Sequence, residues 1–179
     1  MEWMDMQDET TVVPRPDTLN EQVGVLVRRE IEARILGPMI DAFADAFGRE
    51  RVLEIVRSTI VEIARSQGRT MRMSGSGNDL EAFAGTMEAW KRGGALETDT
   101  LVDTGDAFDF DVTRCRYAEM YRAIGMEELG SILSCARDYA LIEGFNESVD
   151  LTRTQTIMEG ATHCDFRYRQ RAPVDLEQT

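Results

Sequence analysis

The sequence is poor in the residues that cross-link small proteins or bind metals in them. It contains three cysteines and one histidine in 179 residues. The cysteines are odd in number, widely spaced and form no Cys-x-x-Cys pair, which argues against a disulfide framework and against a zinc ribbon. A chain of this length can bury enough apolar surface to fold as one domain without such cross-links.

Long apolar runs and basic segments are also missing. No run approaches the ~20 apolar residues of a transmembrane helix, which excludes a membrane span. The N-terminal segment is acidic and lacks the basic-then-apolar pattern of a signal peptide, so we expect a cytoplasmic protein with reduced thiols. The formal net charge is -13, and such a surface repels phosphate backbones and anionic lipids. We therefore expect neither nucleic acid nor a membrane as a partner.

Periodicity divides the chain into a tail, a domain and a second tail. Residues 1–19 lack sustained periodicity and predict a mobile tail or an arm on a partner subunit, and residues 173–179 are a polar tail. Between them, residues 20–172 predict one domain. Its first part, residues 20–93, has helical periodicity, and its second part, residues 94–172, mixes strands with helices.

The helical part contains three amphipathic segments. Apolar residues recur at three-to-four spacing over residues 20–47, with a break or kink expected at Gly37-Pro38, and over residues 49–66. Residues 67–78 predict a polar, glycine-rich linker or lid, and residues 79–92 a third helix that ends at two glycines. We expect the first two segments to supply packing and subunit contacts in a homo-oligomer, rather than catalytic groups.

The second part alternates with period two at both ends. Residues 96–104 and 107–115 predict a hairpin, and helices are expected over residues 117–124 and 127–143. A second hairpin is predicted from the alternating runs 151–158 and 164–168. The order of helices, hairpin, two helices and hairpin predicts an α+β fold with an antiparallel sheet of about four strands, covered on one side by helices.

Reactive side chains are concentrated in the second hairpin and at the cysteines. The hairpin holds Arg153, His163, Cys164 and Asp165. Cys115 lies at a strand-to-helix corner, and Cys135 precedes Asp138 by three residues on one flank of a helix. Three arrangements compete: a cysteine nucleophile activated by His163 or an acid, a metal held by cysteine, histidine and aspartate, or three structural thiols.

Three segments carry a resemblance to a known family. VTRCRYAEMYRAIG, SCARDYALIEGFN and LTRTQTIMEGATHCDFRY resemble motifs of the L-2-amino-thiazoline-4-carboxylic acid hydrolases, in layout over residues 20–170 and specifically over residues 110–168. A more distant likeness is to vinyl-reductase-type ligand-binding domains. The positions that match the family are Cys115, Cys135, Asp138, Arg153, Thr154, Gly160, Cys164, Asp165 and Phe166. His163 falls where the family varies.

The resemblance implies a hydrolase that opens a small heterocyclic ring at a C=N or amide-like carbon, on a substrate that carries a carboxylate. We expect the catalytic residues to be Cys135, Cys164, Asp138 and Asp165. The nucleophile is Cys135 or Cys164, and a carboxylate activates water and shuttles protons. We expect substrate contacts from Cys115, Arg153, Thr154, His163 and Phe166. No cofactor and no metal are expected.

Several alternatives stay open from the sequence. The same fold could serve as a non-catalytic binding or sensing domain, or as a subunit that needs a partner protein. A hydrolase requires an acid, Asp138 or Asp165, in the same cavity as a thiol, whereas a sensor does not. Because side chains alternate along a strand, Cys164 and Asp165 should point to opposite faces. Arg153 either binds the substrate carboxylate or forms a structural pair with Asp138 or Asp165.

Overall fold

The structure is a computed structural model that describes residues 17–75 and 77–172. Most of the predicted N-terminal tail and all of residues 173–179 therefore lie outside the described residues. The helices are α1 (Leu19–Val23), α2 (Val25–Phe47), α3 (Arg49–Ser74), α4 (Leu80–Lys91), α5 (Arg116–Ala123), α6 (Glu127–Gly130) and α7 (Arg137–Phe145). The strands are β1 (Leu96–Asp103), β2 (Ala107–Cys115), β3 (Val149–Thr152) and β4 (Cys164–Gln170).

The predicted α+β fold is confirmed. The four strands form one antiparallel sheet in the order β1-β2-β4-β3. One face of this sheet carries apolar side chains, including Phe108, Phe110 and Tyr168, which pack in one core with α4 and α7. None of the helices in the described ranges is long and apolar enough to cross a membrane.

The opposite face of the sheet is charged because side chains alternate along each strand. Asp109 and Asp111 on β2 lie between the core positions and form ion pairs with Arg169 and Arg167 on β4. These ion pairs balance the charges of β2 and β4 on this face of the sheet. The helices therefore cover one face only, as the sequence predicts.

The sequence predicts a break or a kink at Gly37-Pro38, and the helix does not break there. Helix α2 runs through Pro38 to Phe47, and the chain instead breaks at Gly24, where φ is 78°. Proline removes one backbone donor, but the helix is held by tertiary packing at this point. A Cβ atom on Gly37 would lie 2.4 Å from Cε of Met126, so the glycine allows close packing rather than a turn.

The predicted linker over residues 67–78 is mostly helical, since α3 continues to Ser74. Gly68 lies where α3 crosses α7: a Cβ atom there would be 2.1 Å from the carbonyl oxygen of Leu141. On the other helix, a Cβ atom on Gly144 would be 2.1 Å from the carbonyl oxygen of Arg65. Gly144 lies in the last turn of α7, which ends at Phe145, and allows this close crossing.

The second hairpin is shorter than predicted. Strand β3 comprises Val149–Thr152, and a loop with a 3₁₀ turn at Ile157–Glu159 connects it to β4. The ladder stops because the backbone N–H groups of Thr154 and Gln155 both donate to the carboxylate of Asp165, each at 2.9 Å. The side chain of Asp165 thus accepts the hydrogen bonds that the backbone of a neighbouring strand would accept in a continued ladder.

Candidate active site

A cavity of about 530 Å³ lies between the apolar face of the sheet and the helices. Its volume is in the range of small-molecule sites in proteins. Six aromatic residues contribute to its wall: Phe83, Trp90, Phe110, Tyr117, Phe166 and Tyr168. Its charged lining residues are Asp17, Arg28, Arg29, Arg137, Asp138 and Arg153.

All three cysteines line this cavity. Cys115 is the last residue of β2, Cys164 is the first residue of β4, and Cys135 ends a π-helical turn, Ser131–Cys135, between α6 and α7. They are free thiols. Burial is the main cause that raises the pKa of each of them, so the neutral thiol is the resting form at neutral pH.

The thiols differ in how strongly the anionic form is disfavoured. Burial raises the pKa of Cys164 to about 11, opposed by the backbone N–H of Ile157, which donates to its Sγ at 3.2 Å. Burial and the charge of Asp138 raise the pKa of Cys135 further. Of the two nucleophiles that the sequence left open, Cys164 is therefore the easier to deprotonate.

Asp138 lies in the cavity wall and accepts a hydrogen bond from Nη1 of Arg153. Its side chain keeps 30% of its accessible surface because it faces the cavity, although it lies deep below the outer surface. Burial raises the pKa of Asp138 to about 6, and Arg153 opposes this shift. The group is therefore mostly ionised at neutral pH but close to its titration range.

Arg153 is held on several sides. Of the two roles that the sequence left open for Arg153, the structure shows the ion pair with Asp138. Its Nη2 donates to the carbonyl oxygen of Cys135 at 3.3 Å, and its Cζ lies 5.5 Å from the ring centroid of Tyr139 and 5.3 Å from that of Phe166. Only 9% of its side chain is exposed. Asp138 raises the pKa of Arg153 although burial opposes this, so the guanidinium remains charged.

The π-helical turn positions the acid relative to the thiol. A π turn inserts a residue into a helix and changes which side chains face the same direction, and such turns are frequent at functional sites. Here it ends at Cys135, immediately before the helix that carries Asp138. Both side chains line the cavity. The spacing of three residues predicted one shared flank, but no pattern in the sequence predicted the π turn.

Asp165 does not line the cavity. Its carboxylate accepts hydrogen bonds from the hydroxyl of Thr154 at 2.7 Å and from the two backbone N–H groups of the loop described above. Burial alone would raise the pKa of Asp165, but these hydrogen bonds lower it. The alternation along β4 places Cys164 and Phe166 on the cavity side, so Asp165 and its partner Thr154 stabilise the loop from the other side.

His163 is also outside the cavity lining. The side-chain amide of Gln155 lies 2.9 Å from its Nε2 and 3.1 Å from its Nδ1. Its Nε2 is 3.9 Å from Asp111 on the charged face of the sheet. Six of the nine predicted site residues line the cavity: Cys115, Cys135, Asp138, Arg153, Cys164 and Phe166. The other three, Thr154, His163 and Asp165, lie outside its lining.

The sequence reasoning missed a group of polar residues from the helices: Arg28, Arg29, Gln67 and Arg137 line the cavity. One signal was present. Arg29 lies on the buried stripe of α2 with Val25 and Ala33, at a spacing of four, and an arginine at a core position must have a polar reason to be there. The helices of residues 20–66 are thus mainly packing elements, as predicted, but they also add polar groups to the site.

The arrangement could hold a metal only poorly. Among residues 17–75 and 77–172, no group of three or more histidine, cysteine, aspartate or glutamate side chains is placed to share an ion. The carboxylate of Asp138 is engaged by Arg153. The cavity is instead suited to a small organic molecule, with one titratable acid and three thiols in an aromatic wall.

Comparisons with known proteins give one family and two solved structures of low similarity. The family model of the L-2-amino-thiazoline-4-carboxylic acid hydrolases matches residues 28–168. Among solved structures, the phenol-responsive sensory domain of the transcription activator PoxR aligns with a TM-score of 0.46 and 12% identity, over 76% of this chain and 73% of that chain. Subunit 3 of a trafficking protein particle complex from Naegleria fowleri, covalently bound to palmitic acid, aligns with a TM-score of 0.48 and 10% identity, over 82% of this chain and 96% of that chain. No curated protein matches the sequence.

Proposed function

The chain belongs to the L-2-amino-thiazoline-4-carboxylic acid hydrolase family, and from this premise we propose that it hydrolyses a C–N bond of a small carboxylated heterocycle. The observation that carries the proposal is Asp138, a cavity carboxylate whose pKa is about 6. A group with such a pKa can take a proton and return it at neutral pH. A domain that only binds a ligand needs no such group.

Cys164 is the proposed nucleophile. Its pKa of about 11 lies well below the ~15.7 of water, so a base removes its proton more readily than that of water. As the Sγ–C bond forms at the C=N carbon, the π electron pair moves to the ring nitrogen, and Asp138 carries the thiol proton to that nitrogen. The N–H of Ile157 is aimed at Sγ, where it stabilises negative charge.

Two further steps restore the enzyme. The C–N bond of the ring breaks, its electron pair stays on the ring nitrogen, and the amino substituent of the cyclic amidine forms a new C=N bond as Asp138 carries one of its protons to the ring nitrogen. Water then attacks the carbon bound to Sγ, and Asp138 carries one water proton to the nitrogen of this C=N bond. As the C=O bond forms, the Sγ–C bond breaks and Asp138 carries the second water proton to the departing thiolate of Cys164. The balance is one water consumed and one ring bond cleaved.

Arg153 is a positioning residue in this scheme. It fixes the carboxylate of Asp138 and lowers its pKa against the effect of burial. Phe166 and Cys115 form part of the wall that contacts the substrate. Cys135 lies near Asp138, but the thiolate of Cys135 is more strongly disfavoured than the thiolate of Cys164.

A second candidate function is ligand binding without chemistry. It is favoured by the raised pKa values of all three thiols and by the six aromatic residues of the wall, which suit an apolar ligand. The two candidates differ in what Asp138 does. A binding domain tolerates its replacement by asparagine, whereas a hydrolase does not.

The test is a turnover assay on the purified chain. Cyclic amidines that carry a carboxylate, beginning with 2-aminothiazoline-4-carboxylate, are incubated with the protein, and mass spectrometry follows the gain of one water. We expect ring opening by the wild-type chain and a loss of about 10²- to 10⁴-fold in Asp138→Asn. Binding of these compounds without turnover, equal in both proteins, would replace the hydrolase with the binding domain.

A further inference from the structure

The cavity contains a second cationic site, on the side of α2, that the chemistry above does not use. It consists of the guanidinium groups of Arg29 on α2 and Arg137 at the start of α7. These residues are only 5% and 8% exposed, respectively. Both belong to the cavity lining, so their uncovered surface faces the cavity.

The two guanidinium groups share a single carboxylate. Oε2 of Glu32 is 2.5 Å from Nη1 of Arg29 and 4.0 Å from Nη2 of Arg137. Oε1 of the same glutamate accepts from Nε of Arg28 at 2.9 Å. Within the described ranges, 17–75 and 77–172, no other carboxylate lies within 4.0 Å of Arg29 or Arg137.

Neutral groups satisfy Arg137 only in part. Its Nε donates to the carbonyl oxygen of Leu133 at 2.8 Å, and its Nη1 donates to the side chain of Gln67 at 3.2 Å. Nη2 has only the distant oxygen of Glu32. Burial, followed by repulsion from Arg29, lowers the pKa of Arg137 to about 10, which is the effect expected of a cation without enough negative charge nearby.

A buried hydroxyl near this cluster, outside the cavity lining, also lacks a partner. Tyr121 packs with Ala33 and Leu133 and is fully buried, and its hydroxyl has no hydrogen-bond partner among the described residues. Arg29, Glu32 and Arg137 are among the charged groups close enough to act on it. Buried polar atoms without a partner are rare.

We infer that Arg29 and Arg137 bind the carboxylate of the substrate. Planar guanidinium groups hold a carboxylate by paired, charge-assisted hydrogen bonds, and these two have donors that no described residue fills. Arg153 is not free for this role because Asp138 occupies it. This inference rests on the proposed function, because the ligand is a substrate only if the chain is a hydrolase. The subsite itself requires only that an organic anion binds.

The anion subsite and the acid define the orientation of the ligand. The carboxylate lies toward α2 and the reacting carbon toward Asp138 and Cys164, on the side of β4. The aromatic wall leaves room for an apolar substituent, because the cavity of about 530 Å³ is as large as those that hold drug-sized ligands. The substrate class is therefore a carboxylated heterocycle with an apolar arm.

Binding of a matched pair of compounds tests the subsite without turnover. Thiazolidine-4-carboxylate lacks the C=N carbon that would be attacked, and its carboxamide has the same shape without the charge. By isothermal titration calorimetry, we expect wild-type protein to bind the carboxylate about 10- to 100-fold more tightly. Equal affinities for the two compounds would overturn the inference without any variant.

Variants then locate the preference. We expect Arg29→Gln and Arg137→Gln each to reduce the ratio of the two affinities to near one, with the carboxamide bound as before. The matched control Arg57→Gln, an exposed arginine on α3, should keep the ratio. Circular dichroism verifies that each variant is folded. A ratio that persists in both cavity variants would overturn the assignment. If the wild-type chain binds the carboxylate more tightly than the carboxamide but opens no ring, the hydrolase proposal is refuted and the anion subsite is retained.

The exposed face of α2 carries an independent second inference. Large apolar side chains recur every four residues and are 47–67% exposed: Val27, Ile31, Ile35, Met39, Phe43 and Phe47. The opposite face of α2 is already buried against the protein. A helix that is apolar on both faces is typical of an interior position.

We infer that a second copy of the chain covers this face, with the two α2 helices antiparallel. Ridges of side chains spaced by four pack into each other in the commonest class of helix pairs. The six side chains expose on the order of 500 Å² per protomer, more than half of the ~800 Å² per partner of a standard interface. This face is therefore large enough to be the centre of a stable dimer.

Charge favours the antiparallel arrangement. Arg34 is exposed in the first half of α2, where it pairs with Glu30, and Asp41 and Asp45 are exposed in the second half, where Asp41 pairs with Arg49. These pairs are exposed and therefore weak enough to be exchanged for a pair across the interface. A two-fold axis at the level of Gly37 brings Arg34 toward Asp41 of the partner subunit. Parallel helices would instead place each aspartate against its own copy, which is destabilising.

Size-exclusion chromatography with light scattering tests this dimer. We expect wild-type chain to have twice its monomer mass at micromolar concentration and Ile35→Asp to be a folded monomer. The control Met73→Asp, at an exposed residue of α3 away from this face, should stay dimeric. Arg34→Asp and Asp41→Arg should each weaken the dimer, and the double variant should restore it. A monomeric wild type, or no effect of Ile35→Asp, would overturn the inference.

Discussion

The chemistry of this site depends on single groups whose charge is set by competing effects. Asp138 experiences both burial, which favours the neutral acid, and Arg153, which favours the carboxylate. Burial prevails, but Arg153 keeps the pKa near 6 rather than higher. Burial also leaves the thiols neutral, although Arg153 lowers the pKa of Cys135 and of Cys164, and Cys164 is the less affected of these two candidate nucleophiles.

The acid limb of the pH profile, which is the fall in activity at low pH, should reflect protonation of Asp138. Because it accepts a proton, it must be ionised, so kcat/KM should fall about tenfold per pH unit below pH ~6. Steady-state kinetics from pH 4.5 to 8 checks this. In Asp138→Asn, the small remaining activity should show no limb in this range. A limb that persists unchanged in this variant would belong to another group.

Arg153→Gln should shift this limb to higher pH. The arginine lowers the pKa of Asp138, and its removal lets burial act unopposed. The pH profile of the variant should therefore show an acid limb above pH 6, and Arg153→Lys should lie between the variant and wild type because it keeps the charge but loses the planar fork. A raised KM with an unmoved limb would show that Arg153 contacts the substrate carboxylate instead.

The two candidate thiols can be separated by serine variants. Cys164→Ser should lose at least 10²-fold in kcat, because a serine hydroxyl is much harder to deprotonate than the Cys164 thiol, whose pKa is about 11. Cys135→Ser should keep most of the activity. Mass spectrometry of the wild-type chain, quenched during turnover, should find the adduct on the peptide that contains Cys164. An adduct on Cys135 would reverse the assignment, and full activity in both variants would refute thiol catalysis.

At the scale of elements, two helices position the acid. Helix α7 begins with Arg137 and Asp138, immediately after the π-helical turn, and packs closely against α3. Gly68 and Gly144 make this crossing possible, because a side chain on either would meet backbone atoms of the other helix. The distance between these helices therefore fixes where α7 presents its first residues to the cavity.

Gly144→Ala should destabilise the fold by about 1–3 kcal/mol or more. The new Cβ atom would lie 2.1 Å from the carbonyl oxygen of Arg65, and backbone cannot yield as a flexible side chain can. Urea unfolding followed by circular dichroism measures the change. The matched control is Gly85→Ala on α4, where a Cβ atom meets nothing within 4 Å. That helix should gain up to ~1 kcal/mol, and equal effects of the two substitutions would contradict the close crossing.

At the scale of the whole molecule, the surface and the cavity have opposite character. The chain has a net charge of -13, yet four arginines and two aspartates line the cavity. An acidic net charge disfavours phosphate polymers, whereas buried arginines favour a small anion that can enter. This separation of charge agrees with a carboxylated small molecule as the ligand.

Chelator treatment should leave ring opening unchanged. The carboxylate of Asp138 is bound by Arg153, so it is poorly available as a metal ligand. Dialysis against a strong chelator, followed by the turnover assay in metal-free buffer, checks this. Loss of activity that returns with an added divalent ion would move the assignment to a metallohydrolase.

The sequence by itself determined the α+β fold and much of the cavity wall. Periodicity is a local property, so the first hairpin and the helix over residues 80–91 could be predicted almost to the residue. The motifs that resemble the family contained Cys115, Cys135, Asp138, Cys164 and Phe166, all of which line the cavity. Their residue types alone left three arrangements open, and the resemblance to the family implied the hydrolysis that we propose.

Only the tertiary structure decided which polar groups meet. Asp165 follows Cys164 directly, but β4 turns it away from the cavity to hold the loop at Thr154. Arg29 and Arg137 are more than a hundred residues apart and come together only because α2 and α7 pack around the same cavity. Contacts between distant segments depend on the packing of whole elements, and no local pattern encodes that packing.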